Sequence, residues 1–168
     1  MLLKASLVAL VAAAASTAAV TAPLPLECAL SVPASVAAGQ AVPLRLRLRN
    51  AGPVPLQVLT WGTPFEGWFA PYVRIWRDDI ELRYQGPSLK RGDPERGDYL
   101  RIAAGRARIA VVDLSEAFDL RRSGHYRVVP QLTVHDVFVA TAATAPRARE
   151  RHAGQTLACA PLVFEIQR

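Results

Sequence analysis

Metal-binding and nucleophilic side chains are scarce in this sequence. It holds three histidines, two cysteines and one methionine among 168 residues. A zinc peptidase helix needs two histidines one turn apart with a glutamate between them. Here His125 is followed by Tyr126, His135 by Asp136-Val137, and His152 by Ala153-Gly154, so no His-Glu-x-x-His exists. The shortage of Met and His also argues against a copper carrier, and two cysteines are too few for a thiolate-rich zinc site. His135-Asp136 imitates part of a catalytic triad, but no serine stands in a nucleophile-elbow context. D-P-E-R-G-D (93–98) carries three acids together with Arg96 and Pro94, an oxygen-poor set for calcium. No phosphate loop is present, because G-P-S-L-K-R-G (86–92) has neither the glycine spacing nor a following helix. Lysine is almost missing: only Lys4 and Lys90 accompany the arginines. The net charge of +6 is therefore spread over scattered arginines among acids, without the dense block of a nucleic-acid footprint. These absences leave no catalytic residue, cofactor or metal to assign, and they favour a binding module.

Apolar runs are equally scarce after the N-terminus. The one such run, Ala5 to Ala15, follows Lys4 and precedes A-S-T-A-A-V-T-A. A positive start, a short apolar core and small residues at the exit match a secretory leader, not a membrane span of about 20 residues. The expected organisation is a signal peptide over 1–22, with cleavage after Ala18, Ala19 or Ala22, and one domain over 23–168. Downstream, nothing is apolar enough to span a membrane. In an exported chain the two cysteines, Cys28 and Cys159, read as one disulfide closing most of the domain.

What fills the chain is strand pattern. A-V-P-L-R-L-R-L-R-N (41–50) alternates strictly, leucines to one face and Arg45, Arg47 and Arg49 to the other. Further strands are expected at 28–32, after the N-A-G-P turn at 50–53, and at 72–77, 80–84, 108–114, 125–134 and 160–166. Asp78-Asp79 marks a tight hairpin. S-E-A-F-D-L (115–120) is the single helical turn, with Ser115 as its N-cap. Tyr126, just inside a late strand, stands where a tyrosine corner would. Thirteen prolines and ten glycines suit many short strands joined by turns. The expected fold is all-β, an immunoglobulin-like antiparallel sandwich of seven to eight strands.

Three stretches lack periodicity. W-G-T-P-F-E-G-W-F-A-P-Y (61–72) is densely aromatic, and Trp68 and Phe69 are either core residues or an exposed anchor for another protein. Y-Q-G-P-S-L-K-R-G-D-P-E-R-G-D-Y (84–99) is a long connection whose Lys90 and Arg91 are candidate partner contacts. A-T-A-A-T-A-P-R-A-R-E-R-H-A-G-Q (140–155) reads as an exposed, mobile loop, with Arg147, Arg149, Arg151 and His152 open to an acidic partner.

Three segments carry a family resemblance: L-R-L-R-N-A-G-P-V-P-L-Q-V-L-T-W-G-T-P-F-E-G (46–67), the 84–99 stretch, and V-D-L-S-E-A-F-D-L-R-R-S-G-H-Y-R-V (112–128). In order and spacing they resemble the non-catalytic N-terminal domain ahead of the peptidase unit in bacterial deuterolysin-type (peptidyl-Lys metalloendopeptidase-like) zinc metalloendopeptidases. The resemblance implies an immunoglobulin-like sandwich in a secreted or periplasmic setting. It carries no peptidase activity, since the zinc ligands of that family lie on a later domain. The expected function is a secreted, non-enzymatic, monomeric protein-binding domain contacting a peptidase or other envelope protein, as an inhibitor or a folding helper. The alternatives are a structural or adhesive envelope domain, or an enzyme with an unrecognised site.

Overall fold

The computed structural model describes residues 23–168, and the expected leader at 1–22 lies outside the described residues. Thirteen strands follow in order: β1 (Leu26–Ser31), β2 (Ser35–Ala37), β3 (Pro43–Asn50), β4 (Leu56–Leu59), β5 (Val73–Arg77), β6 (Ile80–Glu81), β7 (Tyr99–Ile102), β8 (Ala107–Asp113), β9 (Gly124–Pro130), β10 (Thr133–Val134), β11 (Val137–Val139), β12 (Gln155–Thr156) and β13 (Leu162–Gln167). The chain is all-β, as expected. Eight of these strands are four residues or longer; the others are short pairings added at the rims.

β1, β3 and β8 form one sheet and β2, β13, β9, β5 and β6 the other, with inward side chains of both merging in one core. Leu44, Leu46 and Leu48 of β3 are completely buried, as the alternation requires. Each such leucine contributes about 1.5–3 kcal/mol relative to an exposed one. A third sheet, β11–β4–β7, covers a smaller cluster of Leu59, Tyr99, Phe138 and Ala145. Every pairing is antiparallel except that of β2 with β13. The chain leaves β1, crosses at Val32–Ala34 and joins the opposite sheet, which fixes that parallel register.

Local chemistry accounts for the turns. Asp78 and Asp79 have φ of 45° and 70°, the paired positive values of a type I′ hairpin between β5 and β6. The helical turn is shorter and begins earlier than expected: a 3-10 turn at Leu114–Glu116. Asp113, not Ser115, is its cap, because the Asp113 carboxylate accepts from Ser115 N at 2.9 Å and from Val42 N at 2.8 Å. The stretch expected as one strand over 125–134 breaks at Gln131–Leu132, giving β9 and β10.

The tyrosine corner is present. Tyr126 is 1% exposed, stacks on Phe164 at 5.0 Å, and donates its hydroxyl to Arg122 O at 2.5 Å. Tyr126→Phe is expected to lower stability by about 1–2 kcal/mol, because it deletes one hydrogen bond while keeping the ring stack. A urea denaturation curve with an unchanged slope and a lower midpoint would show this.

Candidate functional site

The three stretches without periodicity lie together at one pole of the sandwich. The first, between β4 and β5, is wound by local hydrogen bonds. Thr63 donates through Oγ1 to Thr60 O at 2.6 Å, and Gly62 N donates to Glu66 Oε1 at 2.6 Å. Gly62 has a φ of 68°, and a Cβ there would sit 3.2 Å from His135 Nε2, so both conformation and space call for glycine.

Trp68 and Phe69 part company in this loop. Trp68 is 5% exposed, lies flat on Tyr72 at 4.4 Å, meets Phe118 edge-on at 5.9 Å, and donates Nε1 to Asp113 O at 2.8 Å. It offers no surface to a partner; the core alternative for it holds, because ring and indole N–H are both satisfied inside. Phe69, the next residue, turns outward at 39% exposure. Beneath Trp68, burial pushes the Tyr72 hydroxyl pKa far up, helped by the neighbouring Tyr84, Glu66 and Glu116.

The second loop docks against the first. Leu89 N donates to Phe69 O at 3.2 Å, leaving the Leu89 side chain half exposed. Arg91 is ion-paired with Glu66, and its guanidinium lies 5.1 Å from the Trp61 ring and 5.4 Å from the Phe69 ring. Lys90 is exposed and makes no ion pair among the described residues. Of the four candidate partner contacts, Phe69 and Arg91 therefore share one surface, Lys90 is exposed between Leu89 and Arg91 in the chain, and Trp68 supports the surface from below.

The third loop is not the free segment expected from its composition. Its anchor is Asp136, completely buried at the start of β11. The carboxylate is paired with Arg147, accepting from Nε at 3.0 Å and also from Nη2. It further accepts from Tyr99 OH at 2.9 Å and Ala153 N at 3.0 Å. The Arg147 guanidinium covers the Phe138 ring at 4.3 Å. Burial alone would raise the carboxyl pKa of Asp136, but these donors, Arg147 foremost, hold it below the usual carboxylate range. Tyr99 moves the other way, pushed up to about 12 by burial and by its bond to Asp136. From this anchor the loop straps over the second one: Arg149 donates to Arg91 O at 2.8 Å and to Gly92 O, and pairs with Asp93 at 3.3 Å.

Between the loops lies a cleft of about 400 Å³ lined by Trp61, Glu66, Phe69, Leu89, Arg91 and His135, with Arg149 and His152 at its edge. His135 and Asp136, neighbours in sequence, point apart, one exposed and one buried. His152 is spent on Arg147 O at 3.1 Å and Tyr99 OH at 3.4 Å. His125 lies elsewhere, on the exposed face of β9. Among the described residues no three His, Cys, Asp or Glu side chains converge as a metal would need. Glu66, Trp61 and Leu89 belong to this surface although the sequence did not single them out. Only the aromatic density of 61–72 hinted at it. No helix among the described residues is long and apolar enough to cross a membrane. Away from the cleft, Cys28 of β1 and Cys159 form the expected disulfide, with Cα atoms 5.1 Å apart.

No family model matches the chain. Among solved structures, it aligns with a CARDB domain from Pyrococcus furiosus, crystallised in complex with di-metal ions. That alignment covers 92% of this chain and 97% of that one at 11% identity, with a TM-score of 0.31, too loose a superposition to transfer any geometry. Among curated proteins, it is similar to an extracellular protease of Aeromonas hydrophila, with 30% identity over 87 residues, 52% of this chain. The match spans 25% of that protein's length, so what the comparison establishes is a distant likeness between about half of this chain and one quarter of an extracellular protease.

Proposed function

We propose that this chain is a non-catalytic binding module that works outside the cytoplasm and docks a peptidase through its loop pole. The peptidase we infer is of the deuterolysin type, following the resemblance carried by residues 46–67, 84–99 and 112–128. The observation that carries the reading is the convergence of three ion-paired loops into one surface bearing Phe69, Leu89 and Arg91. Arginine and aromatic side chains held in place before contact are the groups that dominate protein–protein affinity. A loop pole fixed by Arg91–Glu66, Arg149–Asp93 and Arg147–Asp136 also loses little entropy on docking. The leader-like residues 1–22, the disulfide and the likeness to an extracellular protease support the location.

The test is a titration of the oxidised chain into the catalytic domain of a secreted deuterolysin-type peptidase, following hydrolysis of a peptide substrate. Activity lost at one-to-one stoichiometry identifies an inhibitor. Unchanged activity with complex formation on a sizing column identifies an accessory domain. Unchanged activity with no complex sinks the proposal.

A further inference from the structure

A second candidate surface lies along the free edge of β8, which shares no lining residue with the loop cleft. In its sheet the strand order is β1–β3–β8, so β8 pairs on one side only. Its hydrogen-bonding parity follows from the two ends. Asn50 N donates to Arg106 O at 2.9 Å and Leu114 N donates to Val42 O at 3.0 Å. Hydrogen-bonded pairs alternate along an antiparallel ladder, so Arg108, Ala110 and Val112 exchange bonds with Leu48, Leu46 and Leu44. Ile109 and Val111 then turn their backbone N–H and C=O outward, where no strand takes them. Asp113 obeys the same parity, and its outward carbonyl is the one Trp68 occupies.

The side chains at those two positions are unusual for an edge. Ile109 is 47% and Val111 54% exposed, on the outer face. Arg47 and Arg45 stand directly opposite them on β3. Arg101 of β7, Arg106 just before β8 and Arg108 within it are exposed, with Arg108 Nε donating to Arg101 O at 3.2 Å. None of these five arginines has an ion-pair partner among the described residues; the nearby Glu27 is taken by Arg49. Beside the C-terminal half of β8, a hollow of about 320 Å³ is lined by Val32, Pro33, Pro43, Arg45 and Val111. Open edges normally carry features that repel a further strand, such as a proline, a bulge or charged side chains, and the arginines are the feature present here. Here the like charge repels a second copy of this chain, while an acidic strand meets no obstacle.

We propose that the β8 edge binds an extended acidic segment of another polypeptide by strand addition. Its backbone bonds the N–H and C=O groups of Ile109 and Val111. Aliphatic residues at alternate positions sit beside Ile109 and Val111 on the outer face. The residues between them carry carboxylates toward Arg101 and Arg108, and Arg45 and Arg47 add attraction across the face. This inference is independent of the loop surface, where Phe69 and Leu89 can be altered without touching Ile109 or Val111.

The probe is a labelled ten-residue peptide of alternating glutamate and valine, titrated into the oxidised chain by fluorescence anisotropy. Saturable binding is expected, weakening several-fold as salt rises, since exposed charge pairs are screened. The same peptide N-methylated at alternate residues, so that it cannot pair, should bind at least about tenfold more weakly, the loss expected of an interface held by main-chain bonds. Val111→Pro should do likewise; its N–H faces outward, a position where an edge strand tolerates proline. An Arg101→Glu, Arg108→Glu double variant keeps the backbone edge and should also lose binding. No saturable binding up to about 1 mM peptide, a negligible free energy for such an interface, overturns the proposal. So does equal binding of the N-methylated peptide, or of dextran sulfate at matched charge, either of which would mark a plain polyanion contact.

Discussion

Asp136→Ala is expected to cost about 3–5 kcal/mol, the usual penalty for stranding one partner of a buried ion pair. Asp136 is fully buried and Arg147 is only 16% exposed at its side chain, so the orphaned guanidinium cannot recover its hydration in place. Tyr99 OH and Ala153 N lose their acceptor in the same stroke. The third loop should then detach, and trypsin should cut at Arg147, Arg149 and Arg151 far faster than in the unaltered chain. Asp136→Asn keeps the shape, and its loss should be smaller, about 1–3 kcal/mol. Both variants also separate from the unaltered protein in acid. The Asp136 carboxyl has a depressed pKa in the folded chain, so its contribution is present above the ordinary carboxylate pKa of about 4 and disappears as pH falls below it. The unaltered protein should lose stability on that limb, and the asparagine variant should show a flatter one. Urea midpoints taken across pH check both points; equal midpoints for all three proteins would contradict the anchoring role.

Cys28→Ser with Cys159→Ser should have a comparable effect. The bond joins β1 to the segment entering β13 across a sequence separation of 131 residues. Opening a loop of that length releases about 4–5 kcal/mol of unfolded-state entropy in the chain-entropy picture. For a domain of this size that corresponds to a fall in melting temperature of roughly 10–20 °C. Thermal melts of the oxidised, reduced and double-serine proteins measure it. Identical melts would mean that the bond holds nothing the sheets do not hold already.

The parts of this fold legible in the sequence are those written in local pattern. The leucine–arginine alternation of 43–50 gives β3 its buried face, the Asp78-Asp79 pair gives the hairpin, and Tyr126 after Gly124-His125 gives the corner. What stayed illegible depends on distant partners. Asp136 lies among apolar residues in V-H-D-V-F-V, and only the approach of Tyr99, Arg147 and Ala153 makes that burial tolerable. Without those contacts on view, residues 140–155 read as a free loop. Trp68 and Phe69 are adjacent in a stretch with no period, and the carbonyl of Asp113, 45 positions from Trp68, decides which of them turns inward. The cap was missed for a smaller reason: Asp113 closes a strand and opens a turn at once, and Ser115 lies two residues inside it.

On the proposed reading, the loop pole is the docking surface of an extracytoplasmic binding module. Its surface residues can be altered without disturbing the core. Phe69 and Leu89 lie exposed on that surface, whereas Trp68, Arg91 and Asp136 hold it up, so substitutions at the two sets should behave differently. The first should spare the melting temperature and the second should lower it.

The most direct measurement is calorimetric titration of a secreted deuterolysin-type peptidase domain with the oxidised chain and with its Phe69→Ser, Leu89→Ser variant, both exposed side chains outside the ion pairs that fix the loops. The account predicts one-to-one binding by the unaltered chain and at least about tenfold weaker binding by the equally stable variant, as expected when anchor side chains are removed. Equal affinity for the two proteins, or no heat of binding from either, would contradict it.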